Sequence, residues 1–213
     1  MARPRLIDND DALRHAMMLF WRNGYGATGI RELEAATGLK ASSLYHRYGS
    51  KDGLFEAALA HYLDDIIQWR ITHYLDSTRD TPDALGGLRR FLETVYDYIS
   101  PKRPPLACLL VNTALEIGGQ QKAVDLLLAN GGRRIRDGLQ RNLDDMKAEG
   151  DLAPPADTSA LAELLHLGLQ GLVVSSRIEK DRGALDRKVD LILALLPLTH
   201  PVQPTHTTGK TRP

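Results

Sequence analysis

The sequence predicts an all-α protein of about nine helices, in which a three-helix N-terminal unit with a helix-turn-helix precedes a larger helical body. Three observations lead there. Alternating β-branched runs, the mark of half-buried strands, do not occur along the chain. Apolar residues recur instead at helical spacing through nearly every segment. Residues 28–51, TGIRELEAATGLKASSLYHRYGSK, compress two short helices around a glycine turn and open a third helix beyond it. The expected boundaries are 1–50 for the N-terminal domain (its helix-turn-helix about 29–48), 51–196 for the body, and 197–213 for a disordered tail.

Leu13, Ala16, Met17, Phe20 and Trp21 give the first helix one apolar stripe. Asp8 or Asn9 can cap its start, Asp10 and Asp11 suit the positive end of its dipole, and Gly24 suits its end. A second helix runs from about Thr28 or Gly29 to Gly38, with Glu32 positioned to satisfy free N–H groups of its first turn. A third, from about Lys40 to Arg47, turns Leu39 and Leu44 inward. Ser50 caps a long fourth helix through Leu54, Phe55, Ala58, Leu59, Tyr62, Ile66 and Trp69. Asp80-Thr81-Pro82 opens the next, whose inward set is Leu85, Leu88, Phe91, Leu92, Val95 and Ile99.

Pro101, Pro104 and Pro105 then break the chain before a short apolar helix that ends at Gly118-Gly119. A long helix follows with Val124, Leu128, Ile135, Leu139, Leu143 and Met146 on one side. Gly131-Gly132 interrupts its pattern and predicts a kink or a close helix crossing, since each mid-helix glycine costs ~1 kcal/mol against alanine. Gly150 to Pro155 reads as a loop, and Asp157, Thr158 or Ser159 caps what comes next. The segment from Leu161 to Val173 and the last helix, Leu185 to Leu196, are apolar nearly all round, so both sides of each are expected to be buried, the second side by another subunit.

The composition narrows the functional classes. The 213 residues are 43% hydrophobic and 25% charged, as in ordinary globular proteins. A single cysteine, Cys108, excludes an internal disulfide framework and a cysteine-based zinc finger. No run of eighteen apolar residues predicts a membrane span, and no apolar N-terminal region predicts a secretory signal, so a reducing cytoplasm is expected. The formal net charge is zero, but it is unevenly spread. Lys40, Arg47 and Lys51 stand in a stretch without a carboxylate, where His46 can add partial charge, whereas Asp144, Asp145, Glu149 and Asp151 gather elsewhere. DNA binding needs only a local basic face.

A helix that enters a DNA groove needs small residues on its outer face, apolar anchors beneath, and donors toward phosphates at its flanks. Ala41, Ser42 and Ser43 are the first, Leu39 and Leu44 the second, and Tyr45, His46 and Lys51 the third. The N-termini of the second and fourth helices can offer backbone N–H groups to phosphate as well. These residues, with Gly24-Tyr25, Thr28-Gly29-Ile30, Glu32-Leu33, Thr37-Gly38-Leu39, Ser42-Ser43-Leu44-Tyr45, Tyr48 and Ser50-Lys51, resemble the TetR/AcrR family of bacterial transcriptional repressors. The pattern is in register over the first quarter of the chain. The later AEGDL-x-PPADTSALAELLHLGLQGL resembles that family's eighth helix and its approach.

The resemblance implies double-stranded DNA as partner, with Thr28, Ser42, Ser43, Tyr45, His46 and Lys51 as DNA-contacting positions; Lys40 and Ala41 are added by geometry. Departures are Gly29 for a hydroxyl residue, Glu34 and Thr37 for small alanines, Ser42 for glycine, and Tyr48 for phenylalanine. Glu34 is expected to point outward or to pair with Arg31 or Arg47. The resemblance further implies a homodimer through the last two helices, two recognition helices ~34–36 Å apart on a palindromic operator, and release by an unknown small-molecule effector. No cofactor or metal is implied.

Sparse polar groups on apolar helices are candidates to line such a pocket, the alternative for each being a polar group satisfied within the core or at the interface: Tyr62, Trp69, Tyr96, Cys108, Asn112, Glu116 and His166. Cys108 has a second reading. ACLLVNTALE resembles one branch of the family in which Gly-Cys-Leu opens the sixth helix and some members sense electrophiles; Ala107 stands here for the glycine. A helix N-terminus favours thiolate, although cysteine is also an ordinary small buried residue. Arg133, Arg134 and Arg136 form a basic cluster, read as a solvated face or, in second place, as facing an anionic ligand or an acidic neighbour. Arg3 and Arg5 could reach a minor groove or belong to a disordered arm. An enzyme would have to pair Cys108 with His166, and no nucleophile elbow or phosphate-cradling loop accompanies them, so no catalytic residue is assigned. A helical adaptor without DNA is the remaining rival.

Overall fold

The computed structural model describes residues 9–76, 83–97 and 106–200. Arg3, Arg5, Asp8, Asp80-Thr81-Pro82, Ile99, Pro101, Pro104, Pro105 and the tail from residue 201 onward lie outside the described residues, as does the side chain of Asn9. The helices are α1 (Asn9–Asn23), α2 (Ile30–Thr37), α3 (Ala41–Tyr48), α4 (Lys51–Tyr62), α5 (Gln68–Tyr74), α6 (Ala84–Glu93), α7 (Leu109–Ile117), α8 (Lys122–Glu149), α9 (Thr158–Ile178) and α10 (Arg182–Leu193). A π-turn, Leu63–Ile67, joins α4 to α5, so these two form one rod and the described residues make nine helical rods. The predicted long fourth helix is this rod, and the wide turn within it is a feature that helical spacing does not predict. From the last residue of the turn onward, Ile67, Ile71 and Leu75 are buried at four-residue spacing.

In the N-terminal unit α1 packs on α2 and α4. Ala16, Met17, Phe20, Leu33, Leu44, Leu54 and Phe55 form its core, with Phe20 edge-on to Phe55 at 4.9 Å between ring centroids. The long α8 runs unbroken through both of its central glycines. A Cβ at Gly131 would lie 2.6 Å from Leu110 Cδ1 and 2.7 Å from Leu63 Cδ2, and one at Gly138 would lie 2.8 Å from Ile71 Cγ2. Of the two expected alternatives, the close crossing is what is found: the bare backbone lets α8 sit against α7 and the α4–α5 rod. Buried Asn142 of α8 donates to the carbonyls of Leu75 and Ala84, joining the end of α5 to the start of α6.

Three boundaries differ from expectation. α6 is capped by Asp83, whose carboxylate accepts from the Gly86 N–H. The last helix starts earlier, because Asp181 accepts from the N–H groups of Gly183 and Ala184, and it ends at Leu193. Pro197 to Thr199 do not belong to a disordered tail: Ala153 N–H donates to the Pro197 carbonyl at 2.7 Å, and Thr199 N–H to the Asp151 carbonyl at 2.9 Å. This antiparallel bridge, Leu152 to Leu198, covers buried Leu152 and Leu196 and is the only β-type pairing among the described residues.

α9 and α10 are two-sided, as their composition predicts. Leu165, Leu169, Leu172, Leu185, Val189 and Leu193 are buried in the protomer, while Leu164, Leu167, Val174, Ile178 and Leu191 are exposed. On α9 the exposed set, with open Gly171, falls at positions 164, 167, 171, 174 and 178, alternating three and four residues apart. That is the spacing of a helix–helix seam.

Candidate nucleic-acid interface and its link to the body

The recognition segment is built by a tight turn. Gly38 closes α2 in the left-handed region, φ 69°, and its N–H donates to the Glu34 carbonyl. Thr37, buried, donates its hydroxyl to the Leu33 carbonyl at 2.7 Å and accepts from the Leu39 N–H at 3.2 Å. The departure from alanine at this position therefore adds a stitch across the turn. Leu44 anchors α3 in the core, and Leu39 is half-buried. Lys40, Ser42, Ser43, Tyr45, His46 and Arg47 are left exposed, with Ala41 half-buried beside them. The outward face contains no carboxylate. Arg47 belongs to it, one turn beyond Ser43, and is absent from the expected DNA-contacting set; its helical spacing is the signal that could have found it.

Glu34 pairs with neither expected arginine. Its carboxylate accepts from the Ala41 N–H at 2.8 Å and so caps α3, whose own N-cap residue, Lys40, makes no side-chain cap. An acceptor at a helix N-terminus contributes about 1 kcal/mol. Glu34→Ala is expected to lower stability by about that amount and to weaken operator binding several-fold; unchanged thermal denaturation would remove the cap from the account.

Thr28 is a correction. It is fully buried, and its hydroxyl donates to the Gly24 carbonyl at 2.6 Å, so it shapes the α1–α2 turn and has no donor left for DNA. Lys51 is held in place by Tyr25: its Nζ lies 4.4 Å from the ring centroid, and the Tyr25 hydroxyl donates to Asp52. That hydrogen bond, and then burial, raise the Tyr25 phenol above its ordinary range. Ser50 caps α4 by accepting from Gly53 N–H at 3.0 Å, so the cation stands at a helix N-terminus, where backbone N–H groups also attract phosphate.

The seven expected pocket residues do not form one pocket. Tyr62 and Trp69 line a small cavity of about 130 Å³ between the α4–α5 rod and the residues that follow α6, together with Cys108. His166 lines a second, about 380 Å³, between α7, α8 and α9, and Cys108 borders this one too. Asn112 and Glu116 line a third, about 360 Å³, between α7 and the end of α1. Tyr96 lines none of these: it is buried and donates to Asp186 of α10 at 2.8 Å, with Arg182 over its ring. The Tyr62 hydroxyl donates to Cys108 Sγ at 3.7 Å, and burial raises the phenol well above its usual range, so it stays protonated. Burial, then the positive field of Arg136, lowers His166 and favours its neutral ring.

Glu116 is the largest departure. One carboxylate oxygen accepts from the Tyr25 N–H at 2.9 Å and the other from the Gly26 N–H at 2.7 Å. Gly24, at φ 85°, leaves room for this approach. At the other end of α7, Trp21 Nε1 donates to the carbonyls of Leu106 and Ala107. α7 is thus fastened at both ends to the DNA-reading unit. Cys108 is its N-cap residue, and Ala107 before it has φ 52°, a conformation that explains a glycine at this place in the resembling branch.

A helix-turn-helix with an outward polar face, carried on a helical body with an exposed apolar seam, defines a DNA-binding transcriptional regulator. Comparison with known proteins fixes the family. Residues 12–58 match the model of bacterial regulatory proteins of the tetR family, and residues 84–192 match the tetracyclin repressor-like C-terminal domain. The chain is 30% identical over 175 residues to the transcriptional repressor ComR of Escherichia coli (strain K12), covering 82% of each chain. It is 26% identical to the regulator YezE of Bacillus subtilis (strain 168), over 92% of this chain and 100% of that one. A cysteine variant of the TetR family regulator CifR, complexed with 26-base-pair operator DNA, superposes with a TM-score of 0.77 at 32% identity, over 92% of this chain and 100% of that one. The chain belongs to the TetR family.

Proposed function

We propose that this chain is a dimeric cytoplasmic repressor that reads a palindromic operator with α3 of each protomer and is released by a small molecule held in the C-terminal body. Its chemistry is recognition, without turnover of a substrate. The observation that carries the reading is the outward face of α3: Ser42, Ser43 and His46 at its centre, with Lys40, Tyr45, Arg47 and Lys51 around it. ComR is a repressor, and CifR is seen on operator DNA. The exposed seam of α9 supplies the two-fold contact that sets the spacing of the two faces. Lys51→Ala is expected to weaken operator binding and to reduce the slope of log K against log salt by about one for each phosphate that a Lys51 side chain neutralises. A slope equal to that of the parent protein would exclude Lys51 as a phosphate ligand.

One observation favours a second route of release. Cys108 borders two cavities and begins the helix whose far end holds the DNA-reading unit. Alkylation there would push α7 and its Glu116 clasp. N-ethylmaleimide is expected to release operator from the parent protein and to leave Cys108→Ser bound; equal release from both would eliminate the thiol as a sensor.

A further inference from the structure

We infer that the cavity between α7, α8 and α9 takes a small amphipathic anion, a carboxylate on an apolar body, with Arg133 holding its charge. The inference rests on the repressor reading and names the chemical class of its effector. The cavity, about 380 Å³, has walls of Leu110, Val111, Leu128, Leu169 and Val173. It lies within the ~300–1,000 Å³ range of small-ligand sites. Its polar lining is Arg133, Arg136, His166, Gln170 and the Cys108 thiol, and no Asp or Glu is among the residues that line it.

The other two cavities mix their charges: Glu116 stands beside Arg22 and Arg177 in one, Asp97 beside Arg70 in the other. Within the basic cluster of α8, Arg134 is paired with Asp64 at 2.7 Å and Arg136 with Glu163 at 3.3 Å. Arg133, exposed at the cavity's mouth, makes no ion pair among the described residues. His166, buried and favoured neutral, meets Gln170 at 3.4 Å and offers a hydrogen bond without a second charge. One unmatched guanidinium above apolar walls suits one anionic head on an apolar tail, and a guanidinium binds a carboxylate through two parallel hydrogen bonds.

The test titrates the full-length protein, alone and bound to operator, with hexanoate, octanoate and decanoate and with their methyl esters. At least one acid is expected to bind at least about tenfold more tightly than its ester, to slow N-ethylmaleimide modification of Cys108, and to release operator. Arg133→Gln should erase the preference for acid over ester while leaving ester binding as it was. Equal affinity for acid and ester, an unchanged preference in the Arg133→Gln protein, or no binding by any acid overturns the inference. Release by esters alone would overturn the anionic class and leave release by a small molecule intact. An acid that binds and protects Cys108 but leaves the operator complex unchanged would uphold the site and overturn ligand release.

Discussion

Replacing Leu167 and Ile178 together with aspartate is expected to convert the dimer to a monomer and to lower operator affinity by at least about a hundredfold. Both side chains are exposed in the protomer, 56% and 78%, so the substitutions bury no charge in the protomer's own core. In the dimer they would set charge into an apolar seam, where an unpaired carboxylate is strongly disfavoured. The loss at the operator follows from geometry. With two recognition helices on one body, the second half-site is engaged at high effective concentration, and a monomer loses that advantage entirely. Sedimentation velocity and fluorescence anisotropy on the same samples check both parts. A double variant that stays dimeric, or a monomer that binds as tightly as the parent, would contradict the assignment of the seam.

The second large effect is expected at Glu116. Its carboxylate is the acceptor for two backbone N–H groups of another structural unit, and hydrogen bonds to a charged group contribute about 1.5–3 kcal/mol each. Glu116→Ala should free the α1–α2 turn from α7. Hydrogen exchange at the Tyr25 and Gly26 amides should accelerate, and operator affinity should fall about tenfold or more, because α3 would no longer be held at a fixed position relative to the dimer seam. N-ethylmaleimide should then produce little further release, since the connection it acts through is already broken. Glu116→Gln keeps one acceptor oxygen and should lie between. Unchanged exchange at both amides in the alanine variant would dismiss the clasp.

What the sequence made legible was local. The α3 face could be read because Leu44 must point in for Ser42, Ser43 and His46 to point out, and helical spacing fixes that within eight residues. Gly38 and Ser50 announced their turns for the same reason. The two-sided character of α9 and α10 was visible in composition alone. Glu116, Tyr96 and Thr28 were misread because their partners are set by packing. Glu116 meets residues some ninety positions away, and Tyr96 meets Asp186 at a similar remove. Thr28 is a near-neighbour case: a hydroxyl at the head of a helix can face solvent or its own turn, and the choice depends on how Gly24 bends the chain. The division of the expected pocket into three cavities has the same origin, since which polar groups share a void depends on how closely α8 approaches α7 and the α4–α5 rod at Gly131 and Gly138. The π-turn at Leu63–Ile67 left no mark in composition, because an inserted helical residue looks like any other.

Hydroxyl-radical footprinting on the protein's own operator, with random-sequence DNA as competitor, tests the central claim most directly. Two protected segments, related by a two-fold axis and separated by about one helical turn or a multiple of it, should appear on one face of the duplex. Both should fade together in a variant carrying Ser42→Glu and His46→Glu, which leaves the buried Leu44 anchor untouched. A single protected segment, or protection that random DNA removes as readily as the operator itself, would contradict the account.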